Sequence, residues 1–128
     1  MKVVLDTNVI VSAFLNPKGI PGEIVSLVLS EKIILCYDNK ILSEYTDVLT
    51  RSKFNFNKEL VTDFLEFIKI YGEYIIAAKP QDIQFIDTDD KIFYDVFRSS
   101  DANYIITGNK KHYPKEENIL LPREFKEI

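Results

Sequence analysis

The sequence is poor in the residues that build disulfide scaffolds and zinc sites. Its 128 residues include one cysteine, Cys36, and one histidine, His112. One cysteine cannot form an intramolecular disulfide, and structural zinc sites are clusters of Cys and His ligands. Neither covalent cross-links nor structural zinc therefore accounts for the stability of this chain.

Glycine and proline are also scarce, at 4 and 5 residues, whereas hydrophobic residues make up 46% of the chain. This composition excludes collagen-like and disordered chains, and it supplies one compact core. We predict a single domain over residues 1–128.

The apolar opening from Met1 to Leu15 is interrupted by Asp6 and Asn8, so we expect neither a signal peptide nor a membrane span. We therefore expect a cytoplasmic location.

The chain has no excess of positive charge. It carries 20 acidic against 16 basic residues, a formal net charge of -4. This balance excludes a protein that coats nucleic acid through its overall charge. A polyanionic partner would have to be met by a local basic patch or through a metal ion.

Predicted strands and helices alternate along the whole chain. Apolar runs predict strands, and apolar residues at helical spacing predict amphipathic helices. The predicted strands cover residues 2–5, 33–37, 74–78, 103–107 and 118–121, and the predicted helices cover 9–15, 21–32, 39–53, 58–71 and 89–99. Such alternation favours an α/β fold with a mostly parallel sheet between two helical layers.

Polar residues follow two of these strands, as Asp6-Thr7-Asn8 and Thr107-Gly108-Asn109. Ligands of open parallel sheets gather at the carboxyl ends of the strands. Asp6 directly follows a buried strand and needs partners there, since burying an unpaired carboxylate is costly.

Further carboxylates are expected near this edge. Glu44 lies at the margin of an apolar helical stripe, and Asp87-Thr88-Asp89-Asp90 precedes a helix. Two carboxylates about 4 Å apart repel by about 4 kcal/mol at an effective dielectric constant near 20. Such a cluster takes up protons or binds a cation, and oxygen ligands favour Mg²⁺ or Mn²⁺. Helix capping is the alternative role of the aspartates, and a solvated helix surface that of Glu44.

Four segments resemble the PIN domain, as found in VapC-type toxins. The resemblance extends over nearly the whole chain in the family's order and includes the closing Leu121-Pro122-Arg123-Glu124-Phe125. The segments are Asp6-Thr7-Asn8-Val9-Ile10-Val11-Ser12-Ala13, Ile41-Leu42-Ser43-Glu44-Tyr45, Asp87-Thr88-Asp89-Asp90-Lys91-Ile92-Phe93 and Tyr104-Ile105-Ile106-Thr107-Gly108-Asn109.

The resemblance implies a three-layer α/β/α fold with a twisted, mostly parallel sheet. It also implies a Mg²⁺- or Mn²⁺-dependent endoribonuclease whose products carry a 5′-phosphate and a 3′-hydroxyl. The family's metal-binding acids correspond to Asp6, Glu44 and Asp90. Asp90 is preferred to Asp87 and Asp89 because it directly precedes its helix.

The chain departs from the family at Asn109, where many relatives have a fourth acid. We keep Asn109 as a catalytic candidate, because its amide oxygen remains a possible ligand, but the site loses one negative charge. Whether one or two metal ions are held therefore stays open. Thr107 and Asn8 are expected to orient the carboxylates by hydrogen bonds.

Two basic stretches contain aromatic residues, a combination suited to single-stranded RNA. The candidate RNA contacts are Arg51 and Lys53 in the first, and Lys110, Lys111 and His112 in the second.

The resemblance further implies a cognate antitoxin and a homodimer as partners. A phosphatase of the haloacid-dehalogenase type is a rival, but it requires acidic and hydroxyl side chains where this chain has Asn8 and Ile10. A PIN scaffold that binds RNA or a protein without cleavage is the other alternative.

Overall fold

The computed structural model describes residues 1–128 and contains one five-stranded sheet flanked by helices. All four strand pairings are parallel, and the strand order is β3-β2-β1-β4-β5. The strands are β1 (Lys2–Leu5), β2 (Ile34–Tyr37), β3 (Glu73–Tyr74), β4 (Tyr104–Ile106) and β5 (Ile119–Leu120). The helices are α1 (Thr7–Leu15), α2 (Ile20–Leu29), α3 (Asn39–Leu49), α4 (Lys58–Tyr71), α5 (Lys91–Ser99) and α6 (Pro122–Lys126). The predicted α/β/α architecture is confirmed.

Strand β1 lies at the centre of the sheet. Its residues Val3, Val4 and Leu5 have no solvent-exposed surface, because helices cover the sheet and an uninterrupted apolar run suits a strand buried on both faces. It pairs with β2 on one side and with β4 on the other, where Leu5 lies opposite Ile106. The residues that follow β1 and β4 therefore emerge side by side.

The predicted ends of several elements were wrong. Helices α2 and α3 end at Leu29 and Leu49, earlier than their hydrophobic patterns predict. Glu31, just beyond α2, has a φ of 62°, which a helix cannot continue through. The strand predicted over residues 74–78 is limited to β3, since Ala77 has the same left-handed backbone.

Three short elements were not predicted, two 3-10 turns and helix α6. Residues Thr88–Asp90 form a 3-10 turn, so that α5 begins only at Lys91, and a second 3-10 turn covers Lys110–His112. Helix α6 closes the chain after β5. None of the helices combines the length and hydropathy that crossing a membrane requires.

Candidate functional site

Asp6 lies at the carboxyl edge of the sheet, directly after β1. Its backbone N–H donates to the carbonyl oxygen of Ile106 over 3.0 Å, which extends the β1–β4 pairing by one residue. Only 4% of Asp6 is exposed, and Thr107, directly after β4, is fully buried beside it. The parallel register thus brings together two polar residues that lie 101 positions apart.

The carboxylate of Asp6 is held by three donors. Its Oδ2 accepts from Thr107 Oγ1 over 2.8 Å and from Tyr113 OH over 2.9 Å, and its Oδ1 accepts from the backbone N–H of Asn8 over 3.4 Å. Burial raises the pKa of Asp6, and these hydrogen bonds offset part of that rise. The side chain is fixed in one orientation, and Oδ1 makes only the long bond to Asn8.

Asp90 is the second buried carboxylate and lacks such partners. It is 9% exposed, it makes no side-chain hydrogen bond to cap α5, and its Oδ2 is buried without a hydrogen-bond partner. Burial, followed by the charges of Asp6 and Asp87, raises its pKa to about 6. A native structure rarely leaves a buried carboxylate oxygen unpaired unless something else satisfies it.

The neighbouring aspartates have different surroundings. Asp87 caps the 3-10 turn, because its Oδ1 accepts from the backbone N–H of Asp89 over 3.0 Å. Asp89 itself is exposed. Of these three aspartates, Asp90 alone is buried, and its side chain makes no capping hydrogen bond.

His112 lies next to Asp90. Its Nδ1 lies 3.3 Å from Asp90 Oδ2, and this nitrogen is also buried without a hydrogen bond. Two polar atoms therefore approach each other closely, but without the alignment of a hydrogen bond.

Glu44 lies on α3 at the rim of the site and is half-buried. It borders an open groove together with Ser43, Asp47 and Ile92. Burial raises the pKa of Glu44, and the largest charge contribution is that of Asp89. The structure contains no group of three or more His, Cys, Asp or Glu side chains arranged to hold a metal ion, so neither Glu44 nor His112 completes a three-residue ligand set with the two buried aspartates.

The carboxylates of Asp6 and Asp90 are still suitable ligands for Mg²⁺ or Mn²⁺. Mg²⁺ is commonly bound through one or two carboxylates and keeps several waters, and Mn²⁺ also suits oxygen ligands. Asp6 and Asp90 are close enough that the charge of the first raises the pKa of the second. A divalent cation would relieve that repulsion and satisfy the unpaired Oδ2 of Asp90.

Comparison with known proteins decides the family. The model of the PIN domain family matches residues 2–111 of the chain. The chain is a PIN domain. It is also 33% identical over 139 aligned positions to an uncharacterized protein of Methanocaldococcus jannaschii, with 98% of this chain and 89% of that protein covered. No solved structure matches the chain. PIN domains are generally nucleases and typically use divalent metals.

The other predicted residues occupy distinct positions in this PIN domain. The predicted bond from Thr107 to Asp6 is present. The side chain of Asn8 instead accepts from the backbone N–H of Gly108 over 3.0 Å, and only its main chain reaches Asp6. The side chain of Asn8 therefore links the segments that follow β1 and β4, and it does not orient a carboxylate. Asn109 is exposed, and its backbone N–H donates to Thr107 Oγ1 over 3.0 Å.

Several predicted RNA contacts of the PIN domain have intramolecular partners. Arg51 forms an ion pair with Asp47 at 2.9 Å, and Lys110 forms one with Glu124 at 2.9 Å. Lys53 Nζ lies 5.1 Å from the centre of the Phe54 ring. These three cations are not free to bind phosphate without giving up a contact.

A groove beside the site is lined by three lysines and two glutamates, Lys110, Lys111, Lys115, Glu116 and Glu117. It has a volume of about 880 Å³ and begins at Gly108 and Asn109, next to Thr107. Lys111 and Lys115 line it and are exposed, with no ion pair to a carboxylate. Lys111 was among the predicted contacts, whereas Lys115 was not.

Sequence reasoning missed the two tyrosines that support this PIN site. Tyr113 donates to Asp6, and the fully buried Tyr45 donates its hydroxyl to the carbonyl oxygen of Leu5, directly before Asp6. Both resemble ordinary core aromatics in the sequence. The one available signal was the position of Tyr113 in the turn that follows Thr107-Gly108-Asn109.

Proposed function

We propose that this PIN domain is a Mg²⁺- or Mn²⁺-dependent endoribonuclease that hydrolyses RNA phosphodiester bonds. The observation that carries the proposal is the buried carboxylate of Asp90, which has an oxygen without a hydrogen-bond partner and lies near enough to Asp6 for the Asp6 charge to raise its pKa. Maintaining this arrangement costs stability, and such perturbed pairs concentrate at functional sites.

Each residue has a separate task in this proposal. Asp6 and Asp90 hold the cation, while Thr107 and Tyr113 keep the Asp6 carboxylate in a fixed orientation. Glu44, at the rim, orients the attacking water or a further ion. The bound cation would neutralise charge on the scissile phosphate and lower the pKa of a water.

RNA would approach along the groove that begins at Gly108. Lys111 and Lys115 offer charge to the phosphates along this groove, where Glu116 is paired with Arg98 and Glu117 is the other acid. Single-stranded RNA suits this surface, because its backbone bends into a groove that an A-form helix does not enter.

The test is metal-dependent cleavage by the purified chain. Mixed single-stranded RNAs are incubated with Mg²⁺ or Mn²⁺ and either wild type or Asp6→Asn, a change that keeps the shape of the side chain. Cleavage by wild type only, abolished by a chelator, is expected. Equal cleavage by both proteins would overturn the assignment of the nuclease site to Asp6.

A second candidate function is RNA or protein binding without cleavage. Two observations favour it: Asn109 stands where many relatives have an acid, and no three-residue ligand group is present. Tight retention of intact RNA in the same assay supports this alternative. Calorimetric titration with Mn²⁺ should then show a gained or strengthened site in Asn109→Asp, since the change restores one negative charge.

We also propose that the nuclease is the toxin of a toxin–antitoxin pair and forms a homodimer. This follows from the resemblance to VapC-type toxins. Induced expression in a bacterial host should arrest growth, and Asp6→Asn should not. Co-expression of a small protein encoded beside the gene should restore growth, and light scattering reports the oligomeric state.

A further inference from the structure

We propose that His112 is a nitrogen ligand of the cation at this site and that it shifts the metal preference from Mg²⁺ towards Mn²⁺. The proposal rests on the proposed function, because it concerns the same cation. The ligands predicted from the sequence all bind a metal ion through oxygen: the carboxylates of Asp6, Glu44 and Asp90, and the amide oxygen of Asn109. A nitrogen ligand therefore changes the chemistry of the site.

The first observation is the position of two unsatisfied atoms. His112 Nδ1 and Asp90 Oδ2 have no solvent-exposed surface and no hydrogen bond, although they lie 3.3 Å apart. A buried polar group without a partner costs about 1–3 kcal/mol. Leaving two of them face to face is therefore expensive unless something binds both.

The second observation is the distance itself. Two ligand atoms about 2.1 Å from one ion are about 3.0 Å apart at an octahedral angle and about 3.4 Å apart at a tetrahedral angle. The 3.3 Å between the nitrogen and the oxygen falls within this range. A hydrogen bond at this length would need the N–H to be directed at the oxygen, and the two groups are not aligned in that way.

The third observation is the location of the turn that carries His112. The 3-10 turn Lys110–His112 follows Thr107 and Gly108, and its next residue, Tyr113, donates to Asp6. One short segment thus supports Asp6 and presents a nitrogen to Asp90. Because Asn109 stands where many relatives have an acid, the site has one carboxylate fewer. The imidazole nitrogen of His112 would be a further metal ligand at this site.

The chemical consequence is metal selectivity. An imidazole nitrogen suits first-row transition ions better than Mg²⁺, which prefers oxygen, and among those ions Mn²⁺ also suits the carboxylates of this site. The site should therefore bind Mn²⁺ more tightly than Mg²⁺, and this difference should depend on His112.

The decisive experiment uses the full chain, stripped of metal and prepared without a histidine tag, with Mn²⁺ as the only probe. Pulsed electron paramagnetic resonance detects nitrogen coordinated to Mn²⁺, and incorporation of ¹⁵N-histidine changes that signal. Because His112 is the only histidine, the signal has a unique assignment. We expect the coupling in wild type, and this measurement does not depend on any variant.

Binding titrations give the matching affinities. His112→Ala should lose about tenfold or more in Mn²⁺ affinity, as loss of metal-site partners does, and less than about threefold in Mg²⁺ affinity. Thermal unfolding confirms that the variant is folded. Asp63→Asn, an exposed acid on α4, is the control for weak surface binding and should leave the affinity unchanged.

The possible outcomes distinguish the assignment of His112 as a ligand from the proposed nuclease function. Tight Mn²⁺ binding by wild type without any ¹⁵N-histidine effect, and with the same affinity in His112→Ala, overturns the assignment of His112 alone. An ion pair between protonated His112 and Asp90 predicts that result. Absence of any Mn²⁺ binding refutes both the ligand and the metal-dependent nuclease. Nitrogen coordination without RNA cleavage supports His112 and refutes the nuclease.

Discussion

Replacing Asp90 by asparagine should stabilise the metal-free protein at neutral pH, although it removes a proposed ligand. The pKa of Asp90 rises from 3.8 to about 6 on folding, first because the carboxylate is buried and then because Asp6 repels it. At 1.36 kcal/mol per pKa unit, ionised Asp90 destabilises the native state by about 3 kcal/mol. The amide introduced by Asp90→Asn is itself poorly partnered beside His112, which costs about 1 kcal/mol.

The net expectation is a gain of about 2 kcal/mol at pH 7.5, or about 8 °C in Tm for a chain of this size. The sign of the pH dependence follows from linkage. A carboxyl with a raised native pKa favours folding when protonated, so wild type loses this stability as the pH rises from 3.8 to 6. The advantage of Asp90→Asn should therefore be small near pH 4 and reach its full value above pH 6.

Thermal and urea unfolding between pH 4 and pH 8, with a chelator present, measure this difference. The exposed neighbour Asp89→Asn is the matched control and should change stability by less than about 0.5 kcal/mol. Adding Mn²⁺ should then stabilise wild type by about 2.7 kcal/mol at a hundredfold excess over Kd, but not Asp90→Asn. A variant no more stable than wild type at pH 7.5, or a gain that persists at pH 4, would refute the reasoning.

Three further outcomes are expected. Tyr113→Phe removes a donor to the buried Asp6 carboxylate and should cost about 1.5–3 kcal/mol of unfolding free energy, measured in urea; an unchanged midpoint would contradict the hydrogen bond. Lys111→Gln should weaken RNA binding and reduce the slope of log K against log salt by about 0.7, whereas Lys69→Gln on α4 should leave both unchanged. Gly22→Ala should destabilise the fold strongly by the same unfolding measurement, because a Cβ there would lie 2.1 Å from a backbone oxygen of the preceding loop; a neutral effect would mean that the loop moves freely.

Much of the architecture was predictable because hydrophobic patterning is local. The run Val3-Val4-Leu5 predicts a buried strand, and the amphipathic spacing of residues 58–71 predicts α4 with its observed ends. Helix ends were predicted less well. The stop after α2 depends on a left-handed backbone at Glu31, which is an unusual conformation for a non-glycine residue.

The candidate site, too, was predictable from the sequence only in part. Asp6 and Thr107 were predictable together, since parallel strands present their carboxyl ends at one edge. The sequence left capping open for each of the three neighbouring aspartates, and the preference for Asp90 came from the resemblance. That Asp87 forms the cap and that the Asp90 carboxylate is unsatisfied became known only from their burial and contacts.

By itself, the sequence determined the strand–helix alternation, the family and the edge of the sheet that carries the acids. These depend on residue type and on spacing along the chain. The tertiary structure alone decided that Tyr113 orients Asp6, that Lys110 is paired, and that His112 faces Asp90. Such contacts join residues from separate segments, and their energies depend on burial and distance, which only the packed chain defines.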